Sequence, residues 1–212
     1  MRPEVPALML VTEPALGDPV AATRAAFADT RPGPRVAVQL RAKTLPDGAL
    51  VRLGHGLRGV TADAGALLLV NGRPDVAHAV RADGVHLPED GLAPAEARRV
   101  LGADALVGAS RHDLEGLRKA AAEGADYATL SPFAASPGKA PPLERGAFVA
   151  ATARAGLPVL ALGGIDAERI GAALAAGAYG VAVIRAVYAA PDPARALADL
   201  LTALDTARGS GG

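Results

Sequence analysis

The segment GLPVLALGGIDAERIGAALAAGAYGVAVI, residues 156–184, decides the fold because it holds one complete strand–helix–strand repeat. The apolar run that opens it is typical of a parallel strand covered on both faces. Asp166 then predicts a helix N-terminus, and Ile170 and Leu174 share one face of that helix. Gly177 predicts the helix end, and a second apolar run follows it. The segment therefore predicts two parallel strands joined by a helix.

Related units recur along most of the chain. Most of them combine a helix-stopping glycine, a short turn and an apolar run, and we predict strands in the runs at 8–11, 36–40, 67–70, 81–87, 102–107, 124–130, 156–162 and 177–184. Strands that alternate with helices over about 200 residues indicate a closed (β/α)₈ TIM barrel, an α/β fold. An open doubly wound sheet is the alternative. We predict a single barrel domain over residues 1–207 and a disordered tail at 208–212.

The composition excludes several classes of function. The 22 Lys and Arg residues balance 22 Asp and Glu residues, so the chain offers no broad positive field to nucleic acid. The absence of cysteine excludes disulfides and thiolate chemistry. No apolar run approaches the about 20 residues that span a bilayer. We therefore expect a cytoplasmic protein that binds neither nucleic acid nor a membrane.

Basic and amide side chains follow the second and third predicted strands. Gln39, Arg41 and Lys43 stand at the end of the second, and Asn71 and Arg73 at the end of the third. In a TIM barrel these strand ends meet at the rim that carries the active site. Several converging donors suit a multiply charged anion such as diphosphate, so we predict a substrate site here. The alternative is that Arg41 and Arg73 form ion pairs with carboxylates of the rim.

The fourth predicted strand ends in His86-Leu87-Pro88-Glu89-Asp90, which brings two carboxylates to the same rim. Hard oxygen ligands beside a diphosphate are what Mg²⁺ prefers, so Glu89 and Asp90 are candidate metal ligands. Capping of the turn before Pro94 by Asp90 is an equal alternative. We expect His86 to be a hydrogen-bonded residue of the barrel and not a catalyst.

The next two strand ends contribute further candidates. Ser110 closes the fifth strand as a donor at the rim, while His112 is expected to be a structural cap of the next helix. The sixth strand precedes the longest irregular connection, residues 131–142, and loops of that length are commonly lids over a site. It carries Lys139, one of only three lysines in the chain, and Lys43 at the same rim is another. A lysine there can neutralise a departing phosphate.

The seventh and eighth predicted strands end where TIM barrels commonly bind phosphate. Gly163 and Gly164 allow close backbone approach before a helix N-terminus, and Ile184 and Arg185 follow the eighth strand. We predict a phosphate site at these four residues, with a purely structural turn at the glycines as the alternative. Two anion-binding regions at one barrel mouth fit a small phosphorylated substrate and a second, more highly charged one.

Together these strand ends resemble the thiamine phosphate synthase and TenI superfamily, from Leu8 to about Leu204. The matching segments are Val38–Lys43, Asn71–Asp75, Ala82–Leu87, Gly108–Ser110, Gly124–Tyr127, the Lys139 loop, Gly163–Ile165 and Gly177–Val183. The resemblance implies a TIM barrel that binds a thiazole phosphate after its last two strands and, in the synthases, an aminopyrimidine diphosphate with Mg²⁺. It implies an enzyme of thiamine biosynthesis that condenses these substrates and releases pyrophosphate.

The resemblance also implies individual roles, which divide between the two substrates. The residues that it assigns to the diphosphate and to its departure are Arg41, Lys43, Asn71, Ser110 and Lys139. The residues that it assigns to the thiazole phosphate are Gly164, Ile184 and Arg185. Catalysis with this set is electrostatic, because the residues stabilise a departing anion and position the nucleophile.

Departures from the family pattern keep alternatives open. Gly72 stands where synthases carry a metal-binding Asp, the acidic loop after the fourth strand is shorter, and Arg185 replaces a small hydroxyl residue. Asn71-Gly72-Arg73 and His86-Leu87-Pro88 are closer to the TenI branch. Thiazole tautomerisation in that branch uses a His of the loop after the sixth strand, where this chain has Ser131-Pro132-Phe133. A tautomerase and a non-catalytic thiazole-phosphate-binding paralogue are the alternative functions, and a homodimer is compatible with each.

Overall fold

The computed structural model describes residues 1–136 and 140–209, and these ranges form one closed barrel of eight parallel strands. Each strand pairs with its neighbours in chain order, and the first pairs with the last to close the ring. The strands are β1 Leu8–Val11, β2 Val36–Leu40, β3 Leu67–Asn71, β4 Gly84–Leu87, β5 Leu106–Arg111, β6 Tyr127–Leu130, β7 Val159–Leu162 and β8 Gly180–Val183. The predicted TIM barrel is confirmed, and the open-sheet alternative is wrong.

A helix follows every strand, and two helices follow β8. The α-helices are α1 Pro19–Ala26, α2 Asp47–Ala64, α3 Pro74–Ala79, α4 Pro94–Leu101, α5 Leu114–Ala122, α6 Arg145–Arg154, α7 Ala167–Ala175, α8 Arg185–Tyr188 and α9 Pro193–Gly209. The helix α9 includes the first two residues of the predicted tail, and residues 210–212 lie outside the described ranges. Within the described ranges, every helix is too short or too polar to cross a membrane.

The predicted helix boundaries have clear chemical causes. Asp113 accepts a hydrogen bond from the backbone N–H of Gly116 at 2.7 Å, which caps α5. Asp166 caps α7 in the same way. The φ angle of Gly177, which follows α7, is 87°. Glycine adopts this conformation without the steric cost that a side chain would bring, so it ends the helix cleanly.

Two apolar layers hold the barrel together. Leu8 and Leu10 pack between the strands and the helices, whereas Met9 packs inside the barrel, and all three are fully buried. Successive side chains of a strand point to opposite faces, and here both faces are covered. This burial explains why the strands appear in the sequence as continuous apolar runs.

One aromatic ring, that of Tyr127, lies among the apolar side chains inside the barrel. Tyr127 on β6 is fully buried among apolar side chains, including Met9 and Leu69. A Cβ atom added to Gly108 on the neighbouring β5 would lie 2.1 Å from Cζ of this ring. Glycine is therefore required at position 108, and the Tyr127 ring closes the barrel beneath its mouth.

Turn aspartates at the opposite end tie successive strands together. The carboxylate of Asp83, before β4, accepts a 2.7 Å hydrogen bond from the backbone N–H of Leu68 on β3. Asp126, before β6, binds the N–H of Val107 on β5 at the same distance. Each carboxylate also pairs with an arginine of the helix that leads into the partner strand, Arg58 of α2 and Arg98 of α4. Asp83 and Asp126 of the sequence repeat thus link neighbouring strands, and they lie away from the barrel mouth.

Candidate active site

A row of polar side chains lies at the carboxyl end of the strands, above the apolar interior. The strand register pairs Asn71 with His86 and Ser110 with Thr129. Gln39 on β2 extends the row through a hydrogen bond to Asn71. Four of these five residues were identified from the sequence, and Thr129 was missed because it sits within an apolar run. The row therefore spans β2 to β6 and forms the floor of the barrel mouth.

Gln39 and Asn71 form a hydrogen-bonded pair in this row. Gln39 Nε2 donates to Asn71 Oδ1 at 2.9 Å, and the Gln39 residue is only 3% exposed. Because the Asn71 oxygen is engaged, its amide N–H groups are the atoms left to bind an acceptor. The pair presents donors to the barrel mouth, where a phosphate oxygen can accept them.

Arg41 follows Gln39 by two residues and is held by the residues after β1. Its guanidinium Nη1 forms a 2.7 Å ion pair with Glu13 Oε2, and its backbone N–H binds Thr12 Oγ1 at 2.9 Å. The predicted alternative of an ion pair at the rim is confirmed for Arg41. Lys43, two residues further, is exposed and pairs with no carboxylate among the described residues. Among the described residues, the end of β2 therefore offers one cation fixed by an ion pair, Arg41, and one without a carboxylate partner, Lys43.

Arg73 is bound by carboxylates on two sides. It pairs with Asp47 at the start of α2 at 2.7 Å and with Asp75 in α3 at 2.6 Å. The hydrogen bond to Asp75 is the main cause that raises the pKa of Arg73, and Asp47 adds to it. The predicted alternative of ion pairing is again confirmed, and two carboxylates offset the charge of this guanidinium. Its role in substrate binding stays a prediction.

His86 is an uncharged residue of the barrel interior, as expected. Its Nδ1 lies 3.0 Å from the Tyr127 hydroxyl, and its Nε2 lies 3.3 Å from Thr129 Oγ1. Complete burial, with a smaller contribution from the Arg111 charge, lowers the pKa of His86 to about 3. Both ring nitrogens have partners, so the imidazole joins β4 to β6 beneath the mouth.

Glu89, a predicted metal ligand, pairs with His112 instead. Glu89 Oε2 lies 3.4 Å from His112 Nε2, and His112 Nδ1 lies 2.8 Å from the backbone oxygen of Ser131. The predicted capping role of His112 is wrong, because Asp113 caps α5. Asp90 is exposed. The described residues contain no group of three or more His, Asp or Glu side chains arranged to hold a metal ion.

The turn after β7 is covered by the beginning of the β6–α6 connection. The backbone N–H of Ala134 binds the oxygen of Gly163 at 2.9 Å. A Cβ atom on Gly164 would lie 2.6 Å from the backbone oxygen of Ala135, and the φ angle of Gly164 is 62°. Packing and backbone conformation therefore both require glycine at 164. The structural alternative accounts for this residue, and its contact with phosphate stays a prediction.

The end of β8 contains an element that the sequence did not predict. The side chain of Ile184 packs against the interior cluster of the barrel, and Arg185 begins the short helix α8. The first backbone amides of a helix have no hydrogen-bond partner inside it. Arg185 is exposed and forms no ion pair within the described residues.

The remaining two candidates are Ser110 at the end of β5 and Lys139 in the β6–α6 connection. Ser110 is half-buried at the end of β5, and its hydroxyl has no hydrogen-bond partner in the described part of the chain. A substrate atom at the mouth can therefore take that bond. Lys139 lies outside the described residues, together with Pro137 and Gly138.

A family model and the sequence relatives indicate one family for this chain. The family model described as "Thiamine monophosphate synthase" matches residues 8–187. The thiamine-phosphate synthase of Anaeromyxobacter dehalogenans is 44% identical over 92% of this chain and 87% of its own length. That of Methanoculleus marisnigri is 44% identical over 78% of this chain and 82% of its own. The solved thiamine phosphate pyrophosphorylase of Pyrococcus furiosus superposes with a TM-score of 0.84 at 30% identity, covering 94% of this chain and 96% of that one.

Proposed function

Because the chain belongs to the thiamine monophosphate synthase family, we propose that it joins an aminopyrimidine diphosphate to a thiazole phosphate. The products are thiamine phosphate and pyrophosphate. The observation that carries the proposal is the donor pair Gln39–Asn71 with the cations Arg41 and Lys43 beside it at the barrel mouth. Relatives named thiamine-phosphate synthase that align over most of their length support the same reaction.

The proposed reaction transfers the pyrimidine methylene group. The bond between the methylene carbon and the diphosphate oxygen breaks, and both electrons leave with the diphosphate. The lone pair of the thiazole nitrogen forms the new carbon–nitrogen bond, so the product ring carries the positive charge. The chain itself forms no covalent bond in this scheme. Its contribution is to stabilise the leaving charge and to hold the nucleophile in line.

The residues after β2, β3 and β5 would bind the diphosphate. Arg41 and Lys43 supply positive charge, and the Asn71 amide donates to a phosphate oxygen. The Ser110 hydroxyl would donate to the oxygen on which charge develops as the bond breaks. Lys139 would add a further cation, which is the role that the family resemblance implies for it. Charge-assisted bonds of this kind are worth about 1.5–3 kcal/mol each.

The opposite side of the mouth would hold the thiazole phosphate. The turn at Gly164 and the start of α8 supply backbone amides, and Arg185 supplies a cation beside them. Ile184 packs at the interior edge of this region and would contact the thiazole ring. With the two substrates on opposite sides, the thiazole nitrogen can approach the methylene carbon from the side away from the diphosphate.

The family resemblance implies Mg²⁺. The residues at the β4 end can bind it with fewer carboxylate ligands than the family pattern has. Mg²⁺ is commonly bound by one or two carboxylates together with substrate phosphate oxygens and water. Asp90 is an exposed carboxylate next to the predicted diphosphate site, Glu89 is shared with His112, and Gly72 supplies no ligand. Asp90, with Glu89 as a second candidate, would therefore hold the ion. When bound, Mg²⁺ would offset the diphosphate charge.

The direct test is release of pyrophosphate by the purified protein. Both substrates are supplied at saturation with Mg²⁺, and pyrophosphate and thiamine phosphate are measured together, with each substrate omitted in turn. Equal amounts of the two products support the proposal, and a chelator is expected to reduce the rate. Absence of both products overturns it.

Because the phosphorylated substrates do not cross membranes freely, we also propose that the enzyme works in the cytoplasm.

A further inference from the structure

Arg41 is held at the barrel mouth by the two residues that follow β1. Thr12 Oγ1 accepts from the backbone N–H of Arg41 at 2.9 Å and donates to the Arg41 backbone oxygen at 3.1 Å. Glu13 then binds the guanidinium through Nη1 at 2.7 Å. Neighbouring residues of one strand end thus fix the backbone and the side chain of the same arginine.

The ion pair between Glu13 and Arg41 is more shielded than most others in the protein. The Arg41 side chain is 19% exposed and that of Glu13 is 35% exposed, whereas the Arg35–Asp205 pair is 46% and 58% exposed. Partial burial reduces screening by water and salt, so this pair holds its geometry better than an open surface pair. The backbone of Glu13 is itself constrained, because its oxygen accepts from Leu16 N–H in the turn that begins at Pro14.

We infer that Glu13 is a positioning residue for Arg41. A guanidinium has five N–H donors, and Glu13 engages one of its terminal nitrogens, so donors remain for a diphosphate. A side chain that is already fixed loses less conformational entropy when the substrate binds. The inference rests on the proposed function, since it takes Arg41 as a diphosphate ligand, and it assigns a role to a residue outside the predicted substrate site.

A second effect of Glu13 has the opposite sign. Its carboxylate is negative and would repel a diphosphate at the same guanidinium. If repulsion dominated, removing the charge would tighten substrate binding. If positioning dominates, removing the contact weakens binding, and a neutral side chain that keeps the hydrogen bond restores it. Glutamine is such a side chain, because its amide oxygen accepts the same bond.

The experiment compares Glu13→Ala and Glu13→Gln in the full-length protein. Glu4→Ala is the matched control, because Glu4 is an exposed carboxylate that precedes the same strand at the other end of the barrel. We expect Glu13→Ala to raise KM for the pyrimidine diphosphate about threefold to tenfold, the range for one side chain that must be ordered on binding. KM for the thiazole phosphate stays unchanged. Glu13→Gln and Glu4→Ala remain within about twofold of the wild type.

A binding measurement separates this inference from the proposed function. Inorganic pyrophosphate is titrated calorimetrically into each protein, with and without Mg²⁺, and thermal unfolding confirms that each variant is folded. Weaker binding to Glu13→Ala with recovery in Glu13→Gln supports positioning, even if no thiamine phosphate is formed by the wild type. Tighter binding in both variants, equal binding in all four proteins, or no binding to the wild type overturns it.

Discussion

Gln39 donates a 2.9 Å hydrogen bond to Asn71, so the amides at the ends of β2 and β3 act as one unit at the barrel mouth. Gln39 is buried, and its amide has its partner in the neighbouring strand and not in solvent. Any change at Asn71 therefore affects both the stability of the barrel and the donors offered to substrate.

Asn71→Ala is expected to destabilise the fold and to weaken diphosphate binding. The buried Gln39 amide loses its acceptor, which costs about 1–3 kcal/mol. KM for the pyrimidine diphosphate is expected to rise about tenfold with the loss of one charge-assisted bond. Urea unfolding and steady-state kinetics measure the two effects. The single variants Gln39→Ala and Asn71→Ala, compared with the double variant, test the coupling. If the losses of unfolding free energy in the two single variants simply add up to the loss in the double variant, the coupling is contradicted.

Lys43→Ala and Arg185→Ala are expected to affect different substrates. Both residues are exposed cations, but they follow different strands, β2 and β8, which flank β1 in the closed barrel. Removing Lys43 should raise KM for the pyrimidine diphosphate about tenfold or more, and removing Arg185 should raise KM for the thiazole phosphate by a similar factor. Each variant is the control for the other. Equal effects of one variant on both KM values would argue against two separate anion sites.

Gly164→Ala is expected to destabilise the protein by about 1–3 kcal/mol. The new Cβ would lie 2.6 Å from the Ala135 backbone oxygen, and the φ angle of 62° is strained for alanine. Gly171→Ala in α7 is the matched control. A Cβ at Gly171 meets no atom within 4 Å outside the backbone of its own helix, and the change should stabilise the helix by about 0.5–1 kcal/mol. Chemical denaturation measures both, and a shift of the same sign for the two variants would contradict the packing explanation.

His86 makes the stability of the fold depend on pH in a defined direction. Burial lowers its pKa to about 3 in the folded protein, below the ordinary value of 6.5. Below pH 6.5 the unfolded chain therefore binds a proton that the folded protein does not, and stability falls as the pH is lowered towards 3. Well between these two pKa values, His86 alone lowers the free energy of unfolding by about 1.4 kcal/mol for each pH unit of acidification.

The comparison of the wild type with His86→Asn isolates this contribution. We expect the variant to be less stable at pH 7, because the contacts with Tyr127 and Thr129 change. Its deficit should shrink by about 1.6 kcal/mol between pH 6.5 and 5, because the wild type alone carries the proton-linked loss. Urea unfolding across this range measures the deficit, and the other histidines cancel in the difference. A deficit that does not change with pH would show that His86 titrates normally.

The barrel was predictable from the sequence because its strands are buried on both faces and because capping residues and glycines mark the ends of its helices. The apolar runs are the strands. Asp113 and Asp166 cap helices as predicted, and Gly177 follows the end of α7 with a positive φ angle. The helix α8 was not predictable in this way. Its four residues are too few to show a helical period, and it begins without a side-chain cap.

The candidate site was predictable only in part, because its partners come from distant segments. The strand-end residues Gln39, Asn71 and Ser110 follow from the rule that parallel strands end on one rim. The contact of Glu13 with Arg41 requires β1 to lie beside β2, and the contact of His112 with Ser131 requires β5 beside β6. Such pairings depend on the register of the closed barrel, which the apolar runs alone do not specify.

Tyr127 limits how the barrel can change during evolution or design. Its ring occupies the space that a side chain at Gly108 would need, so the depth of the mouth depends on two neighbouring positions at once. A larger residue at 108 is tolerated only if 127 becomes smaller, and a smaller residue at 127 leaves a void unless 108 grows. A pocket for a bulkier substrate is therefore easier to gain by lengthening the loops at the rim than by making the side chains at the floor of the mouth smaller.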